Sequence, residues 1–236
     1  MRGFIDIAQS ILVRTEQQLE TVSNNVANAQ TPGFKRQISF SEILTQAASG
    51  AGQTQSTTQD MFINVFAERK LTNTGNPTDM AISGSGFFWV EKDDVQLLTR
   101  DGAFNISSNG ELVTRSGHNV LNVSGQPVTL SGEGFEIRSD GTIFQNDLPV
   151  EKLAIMDFSG TRSDIRHAGG SFFQSSEIEM SESFNLRQGM LESSNIELGD
   201  EMVKMMESIR FAETGARLIQ TYDTIMGQAI STFGRG

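Results

Sequence analysis

At both ends of the chain, apolar positions recur at alternating steps of three and four residues. Near the start these are Ile5, Ala8, Leu12, Thr15, Leu19, Val22, Val26 and Ala29. Near the end they are Leu198, Met202, Met205, Ile209, Ala212, Ala216, Ile219, Asp223, Met226, Ile230 and Phe233. That step is the a/d seam of a helix that buries one narrow stripe against another helix. The first helix should cover about residues 3–29, roughly 40 Å at 1.5 Å per residue. Each stripe carries a polar position, Thr15 and Asp223. With the helices antiparallel and Ala8 opposite Ile230, those two would face each other and fix register, as a lone polar a-position does. The plainer alternative is a pair of amphipathic core helices in an ordinary domain. The first helix must stop at Thr31-Pro32-Gly33, because proline cannot continue it and glycine supplies a turn. Phe34, Ile38, Phe40, Ile43 and Leu44 then make a short apolar patch. Residues 46–60 are small and polar without periodicity, which reads as a linker or extended arm. Met61–Val65 reads as a strand, and Asn73–Thr78 as a cluster of turn residues.

From residue 79 the period changes to two. Short runs rich in β-formers, such as Phe87–Val90, Val95–Thr99, Phe104–Ile106, Val120–Val123 and Phe135–Arg138, alternate with Asp101-Gly102, Asn109-Gly110, Ser116-Gly117, Ser124-Gly125 and Asp140-Gly141. Such glycine dipeptides favour the positive φ of tight hairpins, and the spacing predicts an antiparallel meander. Val150–Phe158 and Phe172–Met180 add late strands, after which Arg187–Asn195 leads back into helix. The expected fold is α+β: terminal helices form an antiparallel coiled-coil-like domain, and a mainly antiparallel β-domain, a small barrel or sandwich, is inserted between them. The expected boundaries are 1–33 for the first helix, 34–78 for turn and arm, 79–185 for the β-domain and 186–236 for the last helix.

Composition narrows the function. The 236 residues suffice for a real core, and no apolar run approaches the roughly 18 residues of a membrane span. A net charge of −11 argues against nucleic acid, whose phosphates need a basic face. There is no cysteine, so disulfides and thiolate metal sites are excluded. Arg2, Asp6 and Arg14 interrupt any apolar stretch of a cleavable signal. His118 and His167 lack partners at metal-ligand spacing and read as surface loop residues. The glycine pairs Gly84/Gly86 and Gly132/Gly134 lack the third glycine of a nucleotide loop, and Asp93, Asp94 and Asp101 read as turn residues. The methionines of the last helix suit either core filling or adaptable repeated contacts. No catalytic, cofactor-binding or metal-binding residue is nominated.

Four stretches carry a resemblance: NNVANAQTPGFKR (24–36), DMAISGSGFFWV (79–90), TRDGAFNISSNGELVTRSGHNVL (99–121) and GMLESSNIELGDEMVKMMESIRFAETGARLIQTYD (189–223). In order and over nearly the whole chain, they resemble the flagellar axial proteins of the rod and hook family. The resemblance implies a non-enzymatic structural subunit of the bacterial basal-body rod that transmits torque from motor to hook. Terminal helices would pack side by side around the axis with the β-domain outside. Implied partners are other rod proteins, copies of the chain itself, and the type III export apparatus that delivers it to the periplasm through an uncleaved N-terminal segment. No cofactor, nucleic acid or direct membrane insertion is implied. Stripes and signatures together nominate a subunit interface. Its N-terminal part is Ile5, Ala8, Leu12, Thr15, Leu19, Val22, Val26, Asn24, Asn25, Asn28, Pro32, Gly33 and Phe34. Its C-terminal part is Leu191, Asn195, Met202, Met205, Ile209, Ala212, Ala216, Ile219, Asp223, Met226 and Ile230.

Length separates the chain from the hook member, with its further outer domain, and from the proximal subunits that lack a β-domain. The compact arm after Gly33 favours the remaining proximal-rod member over the distal one. Two other classes stay open. A secreted carbohydrate- or surface-binding β-domain would want loop aromatics, but Trp89 and Tyr222 are the sole Trp and Tyr. A cell-wall hydrolase would need a carboxylate pair, and none stands out.

Overall fold

A computed structural model describes residues 2–38, 70–130, 134–158, 165–181 and 183–233. The expectations for Phe40, Ile43, Leu44, the 46–60 arm and the Met61–Val65 strand lie outside the described residues. The chain divides into a helical unit of residues 2–27, 37–38 and 196–233 and a β unit of residues 28–36 and 70–195.

The helical unit holds α1 (Arg2–Ala27) and α2 (Leu198–Phe233). Asp200 and Glu201 occupy the first turn of α2, where carboxylates favour the helix dipole. Two contacts set how the helices meet. Asn25 Nδ2 donates to Glu201 Oε2 at 3.0 Å, and Leu12 packs so close to Gly215 that a Cβ there would lie 3.0 Å from Leu12 Cδ2. Numbers fall along α1 as they rise along α2, so the helices run antiparallel at this contact. The same pairs overturn the expected register. Asn25 beside Glu201 and Leu12 beside Gly215 place Thr15 near residue 212, not opposite Asp223. Thr15 Oγ1 instead donates to the Ile11 carbonyl of its own helix at 2.8 Å, and Asp223 is exposed.

The face of α2 turned inward also differs from the expected stripe. Met205, Ala212, Ile219 and Met226 are half-buried, as that stripe would have them, but the alternate positions come one residue early. Glu201, Ser208 and Gly215 are buried, while Met202, Ile209, Ala216 and Asp223 face solvent. Small residues allow closer approach than Met and Ile would. The buried Glu201 carboxylate is tolerable because Asn25 donates to it and Lys204 Nζ stands 3.8 Å away. Asn25 is fully buried; it also donates to the Gln37 carbonyl and accepts from the Gln37 N–H, both at 2.9 Å.

Among the described residues of the β unit every strand pairing is antiparallel. The chain runs through β1 (Leu71–Asn73), β2 (Met80–Gly84), β3 (Phe87–Lys92), β4 (Val95–Thr99), β5 (Phe104–Ile106), β6 (Leu112–Thr114) and β7 (Asn119–Val120). It continues through β8 (Phe135–Ile137), β9 (Thr142–Gln145), β10 (Leu148–Lys152), β11 (Ile155–Phe158) and β12 (Arg166–Gly169). Last come β13 (Phe172–Gln174), β14 (Ile178–Met180), β15 (Phe184–Gln188) and β16 (Met190–Glu192). The largest sheet follows the order β12-β13-β4-β3-β7-β6-β5, with β11 also pairing with β3 and carrying β14. Separate ladders join β8-β9-β10, β2 with β15, and β1 with β16.

Alternation along β3 puts Phe88 and Val90 into the larger core with Leu112, Val120 and Ile155, and Phe87 into a second cluster with Leu98, Met156 and Phe173. Both faces of the central strand are therefore covered. The β3–β4 hairpin turns on Asp93 and Asp94, both at positive φ as a two-residue type I′ loop requires. Gly102 departs from expectation: its φ is ordinary, and it serves close approach, since a Cβ there would overlap the Met80 carbonyl. Residues 186–188 and 190–192 belong to β15 and β16, so helix begins at Leu198 and not at 186.

Candidate functional site

The two signature segments meet inside the β unit. After α1, the Thr31 N–H reaches the Asn28 carbonyl at 3.0 Å and the Phe34 N–H reaches the Thr31 carbonyl at 3.3 Å, which reverses the chain. Gly33 then donates its N–H to the Glu192 carbonyl of β16 at 2.8 Å. Its φ is +65°, and any Cβ would run into the backbone of Arg100 and Asp101. The site therefore demands glycine twice, for handedness and for room.

Phe34, 1% exposed, stacks edge-on against His167 with ring centroids 6.0 Å apart, and His167 stacks edge-on against Phe173 at 5.2 Å. The Asn195 side chain accepts from the Arg36 N–H at 2.6 Å, and the Asn195 N–H returns to the Phe34 carbonyl at 3.4 Å. Outside this closure, β1 pairs with β16, Leu71 opposite Glu192.

At its centre lies a buried charge cluster. Lys35 Nζ meets Glu192 Oε1 at 2.6 Å, and Arg100 Nη1 lies 3.5 Å from Glu192 Oε2. Arg100 also donates to the Ile82 carbonyl at 3.1 Å and the Gly84 carbonyl at 2.7 Å, and its guanidinium lies 5.2 Å from the Phe87 ring centre. Lys35 and Glu192 are each 1% exposed, so removing either leaves a charge in a dry interior. This chemistry is that of a clamp: it ties a turn near one end of the chain to a strand near the other.

His167 gives the clamp a pH dependence. Burial lowers its pKa below the ordinary imidazole value, and its Nδ1 accepts from the Gly169 N–H at 3.1 Å. A folded-state pKa below the unfolded one means stability that is full above about 6.5 and lost as pH falls through the folded value. Stability of the β unit should therefore decline in mild acid. His167→Phe, which keeps the aromatic packing, should flatten that limb in urea titrations between pH 7 and 5; an unchanged limb would discount His167. His118 lies in the expected loop, between β6 and β7, whereas His167 does not. His167 lies in β12, and His118 is half-buried with its ring 4.3 Å from that of Phe172.

Of the expected interface residues, Ala8, Thr15, Val22, Asn25, Gly33, Phe34 and Asn195 are buried within the subunit. Leu12, Leu19, Val26, Asn28, Pro32, Leu191, Met205, Ala212, Ile219 and Met226 are half-buried. Asn24, Met202, Ile209, Ala216 and Asp223 are exposed. The side chains of Ile5 and Ile230 lie outside the described residues. Sequence reasoning missed Lys35, Arg100, Glu192 and Glu201 as buried partners. The one available signal was that all four sit within the signature stretches, Lys35 in 24–36, Arg100 in 99–121, and Glu192 and Glu201 in 189–223. Among the described residues no group of three or more His, Asp or Glu is placed to hold a metal ion.

The β unit thus closes on itself through a buried charge cluster that joins the turn after α1 to β16, and α2 carries several exposed large apolar side chains. Three family models match in chain order: the flagella basal body rod protein over residues 5–35, the flagellar hook protein FlgE/F/G D1 domain over 81–145, and the flagellar basal body rod FlgEFG protein C-terminal over 187–232. The flagellar basal-body rod protein FlgG of Borreliella burgdorferi is 31% identical over 252 residues, covering 94% of this chain and 95% of that protein. FlgF of Mesorhizobium japonicum is 29% identical over 243 residues, covering 99% of each. FlgF of Caulobacter vibrioides is 27% identical, covering 98% of this chain and 97% of the relative. The chain belongs to the flagellar basal-body rod protein family.

Proposed function

We propose that the chain is a structural, non-catalytic subunit of the proximal rod of the bacterial flagellum. In this reading α1 and α2 pair as an antiparallel coiled-coil-like unit that joins the wall of an axial tube. The β unit, clamped to the turn after α1, sits outside that wall. Torque then passes between packed helices, while the buried Lys35–Glu192–Arg100 cluster holds the β unit together. Partners are copies of the chain, neighbouring rod proteins, and the type III export apparatus, which delivers the subunit to its periplasmic position.

The observation that carries this reading is the surface of α2, where Met202, Val203, Met206, Phe211 and Ile225 are each more than half exposed. A free subunit gains nothing from such a face, whereas a packed one buries it. Relatives of both names, FlgF and FlgG, match over nearly the whole chain.

Ile209→Asp tests the reading. Ile209 is 43% exposed, so the purified subunit should keep its unfolding midpoint. An unpaired carboxylate buried between packed subunits costs several kcal/mol, so swimming should be lost. Glu16→Lys, on the solvent side of α1, should swim normally. Normal swimming of Ile209→Asp cells would remove this face from the assembly.

A further inference from the structure

Methionine carries all the sulfur in this chain: there are 10 methionines and no cysteine. Where the structure describes their side chains, exposure divides them sharply. Met80 and Met156 lie in the two cores of the β unit at 0% and 8% exposure, whereas Met202 and Met206 of α2 are each 53% exposed. Four residues on a helix is just over one turn, so these two thioethers sit one above the other, about 6 Å apart along the axis. Their neighbour Met205 is half-buried. Met180 on β14 is 51% exposed, but it is a single thioether with the buried Met156 opposite it. The pair on α2 is thus a continuous sulfur patch open to solvent in a chain with no thiol to react first.

We propose that Met202 and Met206 form an oxidation site, converted to sulfoxides by peroxide in the free subunit, and that the modified subunit is excluded from assembly. The second half rests on the rod-subunit reading; the first does not. In the reaction a thioether lone pair attacks one oxygen of hydrogen peroxide. The S–O bond forms as the O–O bond breaks, and the departing hydroxide takes the proton of the transferred oxygen and leaves as water. Sulfur loses two electrons and the peroxide gains them. Methionine sulfoxide is open to enzymatic reduction, so the modification is reversible.

Position decides the consequence. A sulfoxide at Met80 would put a polar oxygen into a dry core and loosen the fold. At Met202 and Met206 water solvates the new dipole, so the subunit stays folded. The penalty arises only when the patch is covered, because the sulfoxide oxygens must then shed their water without a donor to replace it. An intact thioether in the same place packs readily against an apolar partner. Oxidised and intact copies therefore differ at the moment of packing and not in their own stability.

Two measurements test this. Purified full-length chain is treated with hydrogen peroxide and followed by peptide mass mapping. Sulfoxide should appear at Met202 and Met206 roughly tenfold faster than at Met80 and Met156, with the urea midpoint unchanged once the pair is modified. Equal rates at the four residues, or a fall in midpoint on modification of the pair, would overturn the site whatever the chain assembles into. In cells, Met202→Gln with Met206→Gln imitates the polarity of the sulfoxides and should lower the amount of chain in isolated basal bodies roughly tenfold. Met202→Leu with Met206→Leu, apolar and inert to peroxide, should assemble at the parent's level and continue under peroxide that halts the parent. Double-Gln chain in basal bodies at the parent's level, or double-Leu chain halted as the parent is, would overturn the exclusion and leave the rod reading intact. Absence of the untreated parent chain from basal bodies would overturn the rod reading and the exclusion together.

Discussion

Gly33→Val is expected to unseat the clamp and destabilise the β unit by about 3 kcal/mol or more, since positive φ and steric overlap act together. At φ +65° a β-branched residue is strained, and its Cβ would overlap the backbone of Arg100 and Asp101. Because the overlap begins at Cβ, Gly33→Ala should fail nearly as badly, which distinguishes lack of room from strain alone. Urea unfolding of the purified chain gives the loss of stability. In cells, subunits should reach the periplasm but carry no hook beyond them. A Gly33→Ala chain with the parent's midpoint would show that Arg100 and Asp101 move aside freely.

Glu192→Gln should have an effect of the same order. It leaves the Lys35 ammonium and the Arg100 guanidinium buried without their carboxylate, and breaking a buried pair in this way costs about 3–5 kcal/mol. Lys35→Met should cost less, because Glu192 keeps Arg100 at 3.5 Å and the apolar stem is retained. Chemical unfolding of the two variants should rank them in that order. A Glu192→Gln variant as stable as the parent would mean that water reaches the cluster.

Much of this architecture is legible in single residues. Pro32 and Gly33 announce where α1 ends, and the Asp93-Asp94 pair supplies the hairpin turn between β3 and β4. The change of period at residue 79 separates helix from sheet. The seam of α2 was read one residue late for a physical reason. Hydrophobicity tells which side chains gain from burial but not which partner buries them. Met202 and Ile209 looked like the seam to α1, yet α1 prefers the small Ser208 and Gly215 and a carboxylate that Asn25 satisfies. The strands at 184–192 were missed in part because their pairing is distant: Met80–Gly84 meets Phe184–Gln188, and Leu71–Asn73 meets Met190–Glu192. The Lys35–Glu192 pair was out of reach for the same reason, being separated by 157 residues. A charged side chain reads as a surface residue until its partner is known.

The central claim is that this chain is part of the rod, most directly tested by electron cryomicroscopy of basal bodies isolated from cells that carry the chain with a small rigid tag in the exposed Asn146-Asp147 turn of the β unit. The account predicts tag density outside the helical wall at the proximal level of the rod, and no rod beyond that level when the chain is deleted. A complete rod in the deletion strain, with the tag found elsewhere in tagged cells, would contradict it.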